Sequence, residues 1–459
     1  MSRQSVQSNT LSDNVEHSRI SHSTHSVHAP LPFSQPTIQQ QRYESELQSI
    51  VDNTIVNITG PRQKVYIGTR DSNLAMWQAN HVHQLIEQYI NTIQYSDMDH
   101  KRNTTATADY TAANHNHNLQ PNPTLAHTSA SPTEPTTLHV VGMKTLGDLS
   151  LAQPLSTFSN KGVFTKELDI ALLNGTIDCA VHCMKDLPTT LPVGISIAAT
   201  LERGTLEDAV IIHQKHISNN IHKLKDLPHG SIAGTSALRR IATLNKYYPH
   251  LIMHDVRGNV NTRLQKLDSG LYDALILSAA GLERIDLGDR ISERLDASIY
   301  GHAVGQGALT ILVRSDDRYM HSVLQPLNDI RTDLACTAER ALLRTLQGGC
   351  KVPIIVHCLY NELQQSNTND DSKYIELRLR GGVLSVDGHT TVENTLCCQL
   401  QYDIVTNNII DNTINRTTAI DIGNQLGELL LSNGADVILN EIHAAQYTID
   451  PQQKPNKST

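Results

Sequence analysis

Short apolar segments alternate with amphipathic helical segments from residue 64 to about residue 325, and this alternation constrains the fold more than any other feature. Segments such as IDCAVHCM and ALILSAAG are continuous apolar runs rather than alternating ones. Continuous runs are typical of strands that helices cover on both faces of a mostly parallel sheet. The sequence therefore predicts α/β architecture, with an amphipathic helix over 72–89 and another that Gly175 ends.

The pattern changes after about residue 331. A helical segment, CTAERALLRTLQ, leads into GGCKVP, and predicted strands at 354–360 and 375–386 precede a last helix over 420–433. Strands grouped in this way are typical of an α+β unit. We expect two α/β units and one smaller α+β unit, a division that suits a chain of 459 residues.

Polar, low-complexity sequence occupies three places. Residues 1–61 are rich in Ser, Gln, His, Asn and Thr, and the stretch from about 95 to 137 has the same character. Such segments bury too little apolar surface to offset the entropy lost on ordering. The low share of aromatic residues in the whole chain, 4%, agrees with this interpretation. We predict a disordered N-terminal extension, a surface insertion in the first α/β unit, and a frayed tail after residue 446.

Composition excludes several classes of protein. The net charge of −9 argues against a general nucleic-acid or anionic-membrane binder, and no run of about 18 apolar residues is present. The seven cysteines include no CxxC pair, so neither a disulfide framework nor a zinc ribbon is expected. His22, His25 and His28 are spaced like metal ligands, but no further ligands lie nearby in the sequence, so we expect no metal site. These features predict a soluble protein of a reducing compartment.

Cations stand at the ends of several predicted strands of this acidic chain. Ligands of open α/β sheets bind beyond the carboxyl ends of the strands. The cations that follow this rule are Arg70, Lys185, Arg239, Arg240, Arg257, Arg263 and Arg284. Together they favour a ligand with several carboxylates or phosphates. Each one alone also fits an ordinary surface cation or a structural ion pair, and Asp186 beside Lys185 also fits a helix N-cap.

The segment LQGGCKVP is a second local anomaly. Two glycines before Cys350 allow a tight turn that would leave the thiol at an accessible loop tip. A catalytic thiol usually has a His base, and none is adjacent in the sequence. From the residues alone, a structural role and a chemical role for Cys350 remain equally open.

Eight motifs occur in one order: GTRDSNLAMWQA, NKGVFTKEL, VHCMKDLPT, GTSALRR, VRGNVNTRLQKLD, ILSAAGLERI, AVGQGAL and GGCKVP. With them the chain closely resembles the porphobilinogen deaminase (hydroxymethylbilane synthase) family from about residue 64 to about residue 445, excepting the polar insertion. The resemblance implies two doubly wound domains like those of periplasmic binding proteins, and a smaller α+β domain. The expected bounds are 62–203 with 304–325 for the first domain, 204–303 for the second and 326–446 for the third, between the extension 1–61 and a tail 447–459.

The resemblance also implies an activity. Members of the family join four porphobilinogen molecules, with release of ammonia, into the linear tetrapyrrole hydroxymethylbilane of porphyrin and haem biosynthesis. They do so on a covalently attached dipyrromethane cofactor. Cys350 corresponds to the residue that holds this cofactor through a thioether bond, which agrees with an accessible thiol that has no neighbouring His.

Particular residues of this chain correspond to the family's site residues. The expected cofactor-binding residues, besides Cys350, are Lys185, Asp186, Ser236, Arg239, Arg240 and Arg263. The expected substrate-binding residues are Arg70, Ser72, Phe164, Arg257 and Arg284. Asp186 corresponds to the catalytic carboxylate, with Lys185 beside it. A carboxylate near a pyrrole N–H stabilises the positive charge that develops when ammonia leaves.

The chain departs from the family's motifs at three positions. Ala237 and Cys183 each stand where a Ser is usual, and Gln347 stands where a Glu is usual. Each change weakens or removes a hydrogen bond or an ion pair, which is worth about 1 kcal/mol for a neutral bond. None of them removes a charged group that the mechanism needs, so we expect effects on affinity and stability rather than on activity.

Two other functions compete with the transferase. A binding module of the same fold would close on an anion without chemistry. An inactive relative would act as a scaffold. Cys350 and Asp186 disfavour the first, and the complete set of charged motif residues disfavours the second. We expect a monomer in the cytoplasm with porphobilinogen as its small-molecule partner and no nucleic-acid or membrane partner, while organelle targeting by residues 1–60 stays open.

Overall fold

The computed structural model describes residues 62–108, 136–145, 164–347, 352–362, 373–403 and 408–449. The predicted N-terminal extension lies outside these ranges, as do most of the predicted insertion, Cys350 and the last ten residues.

Three sheets account for the strands of the described residues. The strands are β1 (Lys64–Arg70), β2 (Thr137–Met143), β3 (Cys179–Cys183), β4 (Ile195–Thr200), β5 (Asp208–Ile212), β6 (Ile232–Gly234), β7 (Ile252–His254), β8 (Ala274–Ser278), β9 (Glu293–Leu295), β10 (Leu309–Arg314), β11 (Ile354–Glu362), β12 (Lys373–Leu384), β13 (Thr391–Asp403) and β14 (Asn408–Ile409).

Helices follow most of these strands. In the described ranges they are α1 (Asn73–Ala108), α2 (Lys166–Leu173), α3 (Gln214–Ile217), α4 (Leu238–Tyr247), α5 (Val260–Asp268), α6 (Ala279–Glu283), α7 (Ala297–Tyr300), α8 (Arg318–Leu324), α9 (Ile330–Thr345), α10 (Thr413–Leu430) and α11 (Asp436–Ile449).

The first two sheets share one plan. The first has the order β2-β1-β3-β10-β4 and the second has the order β7-β6-β8-β5-β9. In each, four strands run in one direction, while β10 in the first and β5 in the second run antiparallel to both neighbours. The central strands β5 and β10 are buried along their whole length. Burial on both faces explains the continuous apolar runs in the sequence, and the predicted α/β fold class is confirmed.

The chain passes twice between these two sheets, once from β4 to β5 and once from β9 to β10. The two passages are joined side by side by a hydrogen bond, in which Gly204 N of the first donates to Gly307 O of the second at 3.2 Å. Gly307 has a φ of +84°, and a Cβ at this position would lie 2.5 Å from Gly204 O. Only glycine permits that approach.

The third sheet is antiparallel throughout, with the order β11-β12-β13-β14. Leu334 and Leu342 of α9, Leu426 of α10 and Leu377 of β12 are buried together in its core. This arrangement confirms the predicted smaller α+β unit. The last predicted helix, over 420–433, is longer than expected and is divided by a π-helical turn at Leu431–Ala435.

Gly434 lies in that turn with a φ of +100°, yet the helix resumes after it. Ile438, Leu439 and Ile442 of α11 are buried in the same core as α10, so packing continues the helix past a residue that would otherwise end it. α11 therefore extends through Ile449, three residues into the segment predicted to be a tail.

α1 also exceeds its prediction. The helix was expected over 72–89 but covers 36 residues, and the stretch predicted as an insertion from about residue 95 begins within it. No Gly or Pro occurs in this helix, so no residue of the kind that ends a helix interrupts it. Among the described helices, α1 included, none combines the length and apolar character that crossing a membrane requires.

A buried ion pair connects α9 to the passages between the sheets. The Arg203 guanidinium donates to both carboxylate oxygens of Glu339, at 2.7 and 2.9 Å. Glu339 Oε2 also accepts a hydrogen bond from Gly305 N at 2.8 Å. Burial raises the pKa of Glu339, but Arg203 outweighs it and holds that pKa below its usual range. The carboxylate is therefore charged and fully partnered.

β3 carries a buried histidine. His182 is 5% exposed, and its Nε2 has no hydrogen-bond partner. Burial lowers the pKa of His182 to about 4, and the charge of Arg70 acts in the same direction. The imidazole is therefore neutral in the folded protein at pH 7.

We predict that Glu339→Gln lowers the free energy of unfolding by about 3 kcal/mol, because it leaves the buried Arg203 charge without its counterion. Urea unfolding followed by circular dichroism measures the loss. The control is Asp268→Asn, which breaks the pair with Arg290, whose side chains are 55% and 38% exposed. That change should cost less than about 1 kcal/mol. Equal losses in the two variants would contradict the importance of the buried pair.

We predict that His182 makes the protein less stable in mild acid. Unfolding returns its pKa from about 4 to 6.5, so the unfolded chain takes up a proton and stability falls as pH drops through that interval. His182→Gln should reduce the dependence of the urea midpoint on pH between about pH 7 and about pH 5, and buried His302, whose pKa is also lowered to about 4, should supply a remaining part. His222→Gln, at an exposed position, should retain the dependence of the unsubstituted protein. If the urea midpoint of His182→Gln depends on pH as steeply as that of the unsubstituted protein, the lowered pKa of His182 is wrong.

Candidate active site

A cavity of about 640 Å³ lies where the first two sheets face each other. Nine of the residues predicted from the sequence line it: Arg70, Ser72, Phe164, Lys185, Asp186, Ser236, Arg240, Arg257 and Arg263. They come from segments up to 193 residues apart, between residue 70 and residue 263. Five of the seven cations that the strand-end rule singled out are among them, and the other four residues were expected from the family resemblance.

One wall of the cavity is the end of β1. Arg70 is the last residue of that strand, and its guanidinium carbon lies 4.4 Å from the centre of the Phe164 ring. This distance is that of a cation–π contact, which orients the guanidinium. Ser72 begins the following helix, where its Oγ accepts a hydrogen bond from Ala75 N at 3.4 Å, so the hydroxyl is an N-cap.

Lys185 and Asp186 lie in a 3₁₀ turn, Met184–Asp186, directly after β3. The second passage between the sheets supports this turn, since Met184 N donates to Ala308 O at 3.0 Å. Gly305, with a φ of +70°, packs against it, and a Cβ there would lie 2.5 Å from Met184 Cγ. Asp186 ends the turn and is exposed in the cavity, so its position is not that of an N-cap.

Burial lowers the pKa of Lys185, and the Asp186 carboxylate opposes that shift. The two side chains thus present a positive and a negative group at adjacent positions of one turn. A ligand with both carboxylates and N–H donors would find partners for each at this place.

The opposite wall begins with α4. Arg240 lines the cavity, and its guanidinium donates to Asp208 Oδ1 at 2.8 Å and to Ile276 O at 3.1 Å. Arg239 does not line the cavity, since both of its terminal nitrogens donate to Asp208, at 2.8 and 3.1 Å. Burial raises the pKa of Asp208, but the two guanidinium groups outweigh it and hold that pKa far below its usual range.

Ser236 and two arginines complete this wall. Ser236 Oγ donates to Val256 O, which ties the turn before α4 to the segment that leads to α5. Arg263 Nε donates to Gly258 O at 2.7 Å, and Arg257 Nε donates to an Asp255 oxygen at 2.5 Å. Burial lowers the pKa of Arg263, and the nearby positive charge of Arg240 adds to that effect.

Of the described residues predicted for the site, Arg284 also is not among those lining the cavity. Arg284 donates from Nη2 to Gly307 O at 2.5 Å, at the point where the passages between the sheets touch. Burial lowers the pKa of this arginine as well. Cys350 lies outside the described residues, so the place of its thiol stays a prediction.

The three departures from the family motifs occupy different surroundings. Cys183 lines the cavity, its Sγ accepts a hydrogen bond from Gln78 Nε2 at 3.1 Å, and burial raises the pKa of the thiol. Ala237 stands at the N-cap of α4, where no side chain caps the helix. Gln347 is exposed after α9 with a φ of +49°.

The sequence interpretation missed several lining residues: Lys144, Asn73, Asn259, Asn261, Thr262 and Ser278. Asn259 caps α5 by accepting a hydrogen bond from Thr262 N at 2.9 Å, so its main role is local. Lys144 could have been found, because it follows the strand segment LHVVGM as Lys185 follows IDCAVHCM.

The lining residues carry six cations, namely Arg70, Lys144, Lys185, Arg240, Arg257 and Arg263, against the two carboxylates Asp71 and Asp186. The cavity is thus positive within a chain of net charge −9. Its donors fit a ligand with several carboxylates. In the described part of the chain, no three residues of the types His, Cys, Asp and Glu come close enough together to hold a metal ion.

Two protein-family models match the chain. "Porphobilinogen deaminase, dipyromethane cofactor binding domain" matches residues 65–322, and "Porphobilinogen deaminase, C-terminal domain" matches residues 334–432. The porphobilinogen deaminase of a Nostoc species is 45% identical over 302 residues, which cover 66% of this chain and 84% of the relative. That of a Synechococcus species is 45% identical over 307 residues, 67% of this chain and 87% of the relative.

The chain is also similar to solved structures at low identity. An ancestral amino-acid-binding protein, a precursor of cyclohexadienyl dehydratase, is 12% identical with a TM-score of 0.27, over 61% of this chain and 91% of that one. A likeness at this level adds nothing to the assignment, which the family models and the relatives carry.

Proposed function

Because the chain belongs to the porphobilinogen deaminase family, we propose that the cavity between the first two sheets is where porphobilinogen is condensed. The chain performs the hydroxymethylbilane synthase reaction, a transferase step of porphyrin biosynthesis that uses a dipyrromethane cofactor. The observation that carries the proposed site is the set of cations from two sheets that line the same cavity as the exposed carboxylate of Asp186.

The cations fit the charge of the substrate. Each porphobilinogen bears an acetate and a propionate arm, so a chain of pyrroles is a polycarboxylate. Arginine matches a carboxylate bidentately, and charge-assisted bonds of this kind are worth about 1.5–3 kcal/mol each. Arg70, Arg257 and Arg263 bind these arms from two walls of the cavity, as the sequence predicts.

Asp186 supplies the negative charge that the cations cannot. Loss of ammonia from porphobilinogen leaves positive charge on the pyrrole, and an arginine beside it would be repulsive. A carboxylate about 4 Å away contributes about 4 kcal/mol at an effective dielectric constant of about 20. The turn that holds Asp186 is fixed by Ala308 and Gly305, so the carboxylate is already oriented before the reaction.

The donor set also fits the cofactor. Dipyrromethane, when bound, supplies the free α-carbon to which the first substrate is joined. Lys185, Ser236, Arg240 and Arg263 line the cavity and would hold its carboxylates, with Asp186 beside its pyrrole nitrogens. Arg239 acts on these residues indirectly, since it shares Asp208 with Arg240. We propose Cys350, from its motif, as the point of covalent attachment.

Arg284 has a different position in this proposal. Its guanidinium bonds Gly307 O rather than lining the cavity, so contact with a substrate requires that bond to exchange for a carboxylate. The alternative function, an anion-binding protein without chemistry, has no support from the family models or from the relatives.

We further propose three domains with the bounds expected from the sequence, 62–203 with 304–325, 204–303 and 326–446. The separate sheets support this division. We also propose that the protein is a cytoplasmic monomer without nucleic-acid or membrane partners. The net charge of −9 supports the absence of nucleic-acid and membrane partners, and the lack of a disulfide pattern among the cysteines supports the cytoplasm.

We predict that Asp186→Asn retains the cofactor but lowers kcat/KM by at least about 100-fold, because the amide cannot balance the developing positive charge. Steady-state assays and intact mass measure the two quantities. The chain offers a matched control in Asp226, the exposed aspartate of a second Lys-Asp-Leu-Pro sequence, which likewise ends a 3₁₀ turn but does not line the cavity. Asp226→Asn should leave turnover unchanged. Near-normal turnover in Asp186→Asn would overturn the assignment.

We predict that denaturing intact-mass spectra of the purified protein show a covalent adduct with the mass of two pyrroles. Cys350→Ala should lack the adduct because the thioether sulfur is gone, whereas Cys397→Ala, at an exposed cysteine, should retain it. Ehrlich's aldehyde reagent should colour only the proteins that carry the adduct. An adduct on Cys350→Ala, or failure of the unsubstituted protein to acquire one from porphobilinogen, would contradict the proposal.

A further inference from the structure

Three neighbouring strands of the first sheet each lead to a cation at the cavity. The sheet order β2-β1-β3 places Lys144 after β2, Arg70 at the end of β1 and Lys185 after β3. β1 and β2 are parallel with Arg70 opposite Met143, so Lys144 lies one residue beyond the partner of Arg70. The three cations therefore form a row along one edge of the sheet.

The backbone fixes Lys144 at the outer end of this row. Asp71 N donates to Met143 O at 3.0 Å, which holds the end of β2 against the turn between β1 and α1. β2 is the outermost strand of its sheet, and neighbouring strands lie about 4.8 Å apart. Lys144 is thus about 10 Å from the strand that leads to Lys185 and Asp186.

Lys144 also differs in its bonds from the arginines of the opposite wall. Arg240 is buried, Arg263 is half-buried, and both donate to protein oxygens. Lys144 is exposed, and no carboxylate of the described residues pairs with it. Its ammonium group can bind an anionic ligand without losing an existing ion pair, and an exposed lysine gives up little hydration in doing so.

From this row of cations we propose that Lys144 binds a carboxylate on pyrroles that have already been joined, and so acts at later additions than Lys185 and Arg70 do. The proposal rests on the synthase reaction described above. Bond formation takes place beside Asp186 at the β3 end of the row. A cation two strands away is reached only when the chain is long enough to extend past Arg70.

The test follows the enzyme-bound intermediates rather than turnover alone. Holoenzyme is mixed with a few equivalents of porphobilinogen, quenched at intervals, and examined by denaturing intact mass, which counts the pyrroles attached. In Lys144→Met, cofactor loading and the first addition should match the unsubstituted enzyme. Later additions should be slower by about threefold, the size expected of one exposed ion pair, so that short intermediates accumulate.

Three further comparisons make the result specific. Lys144→Arg keeps the charge and should give the pattern of the unsubstituted enzyme. Lys64→Met removes an exposed lysine from the other end of β1 and should also give that pattern. Higher ionic strength should reduce the difference between Lys144→Met and the unsubstituted enzyme, because salt screens an exposed pair.

The outcomes separate this inference from the proposed function. Identical intermediates in Lys144→Met and the unsubstituted enzyme would overturn the role of Lys144, and so would a defect confined to cofactor loading. Failure of the unsubstituted holoenzyme to gain any mass from porphobilinogen would instead overturn the proposed function itself.

Discussion

The ion pair between Arg203 and Glu339 is the interaction on which the arrangement of the sheets depends. It is buried, bidentate and shared with Gly305 N, so it joins α9 to both passages between the first two sheets. Removing either charge would leave the other without a counterion in a medium of low dielectric constant. The pair therefore constrains how the unit that contains α9 lies against the two passages between the first two sheets.

The same network continues to the cavity. Arg203 Nε donates to Gln306 O at 2.9 Å, and Gln306 Nε2 donates to Asp208 Oδ1 at 3.1 Å. Asp208 in turn holds Arg239 and Arg240, of which only Arg240 lines the cavity. A connected set of hydrogen bonds therefore runs from the helix that precedes Cys350 to a cation that lines the cavity. A change in how the sheets pack would move Arg240.

The sequence predicts the cavity better than it predicts the orientation of each side chain in it. Strand ends are visible as the limits of apolar runs, so Arg70 and Lys185 could be placed, and the same rule applies to Lys144. Arg239 turns toward Asp208, which is 31 residues away in the sequence. Arg284 turns toward Gly307 O, which is 23 residues away. No local pattern encodes those contacts. The length of α1 was also hidden, because a helix of polar residues has no apolar stripe to mark its extent.

Like charges face one another across the cavity, and this arrangement favours a ligand that carries several linked carboxylates. Burial lowers the pKa of Lys185, and burial together with Arg240 lowers that of Arg263, so both cations are held in unfavourable surroundings. A carboxylate between two such groups stabilises both at once. A ligand with a single carboxylate can pair with only some of these cations. Linked carboxylates are held at several points, and all of these contacts must break before the ligand leaves. Under the proposed function, a chain of linked substrates is therefore held more firmly than a single substrate, as stepwise elongation without release requires.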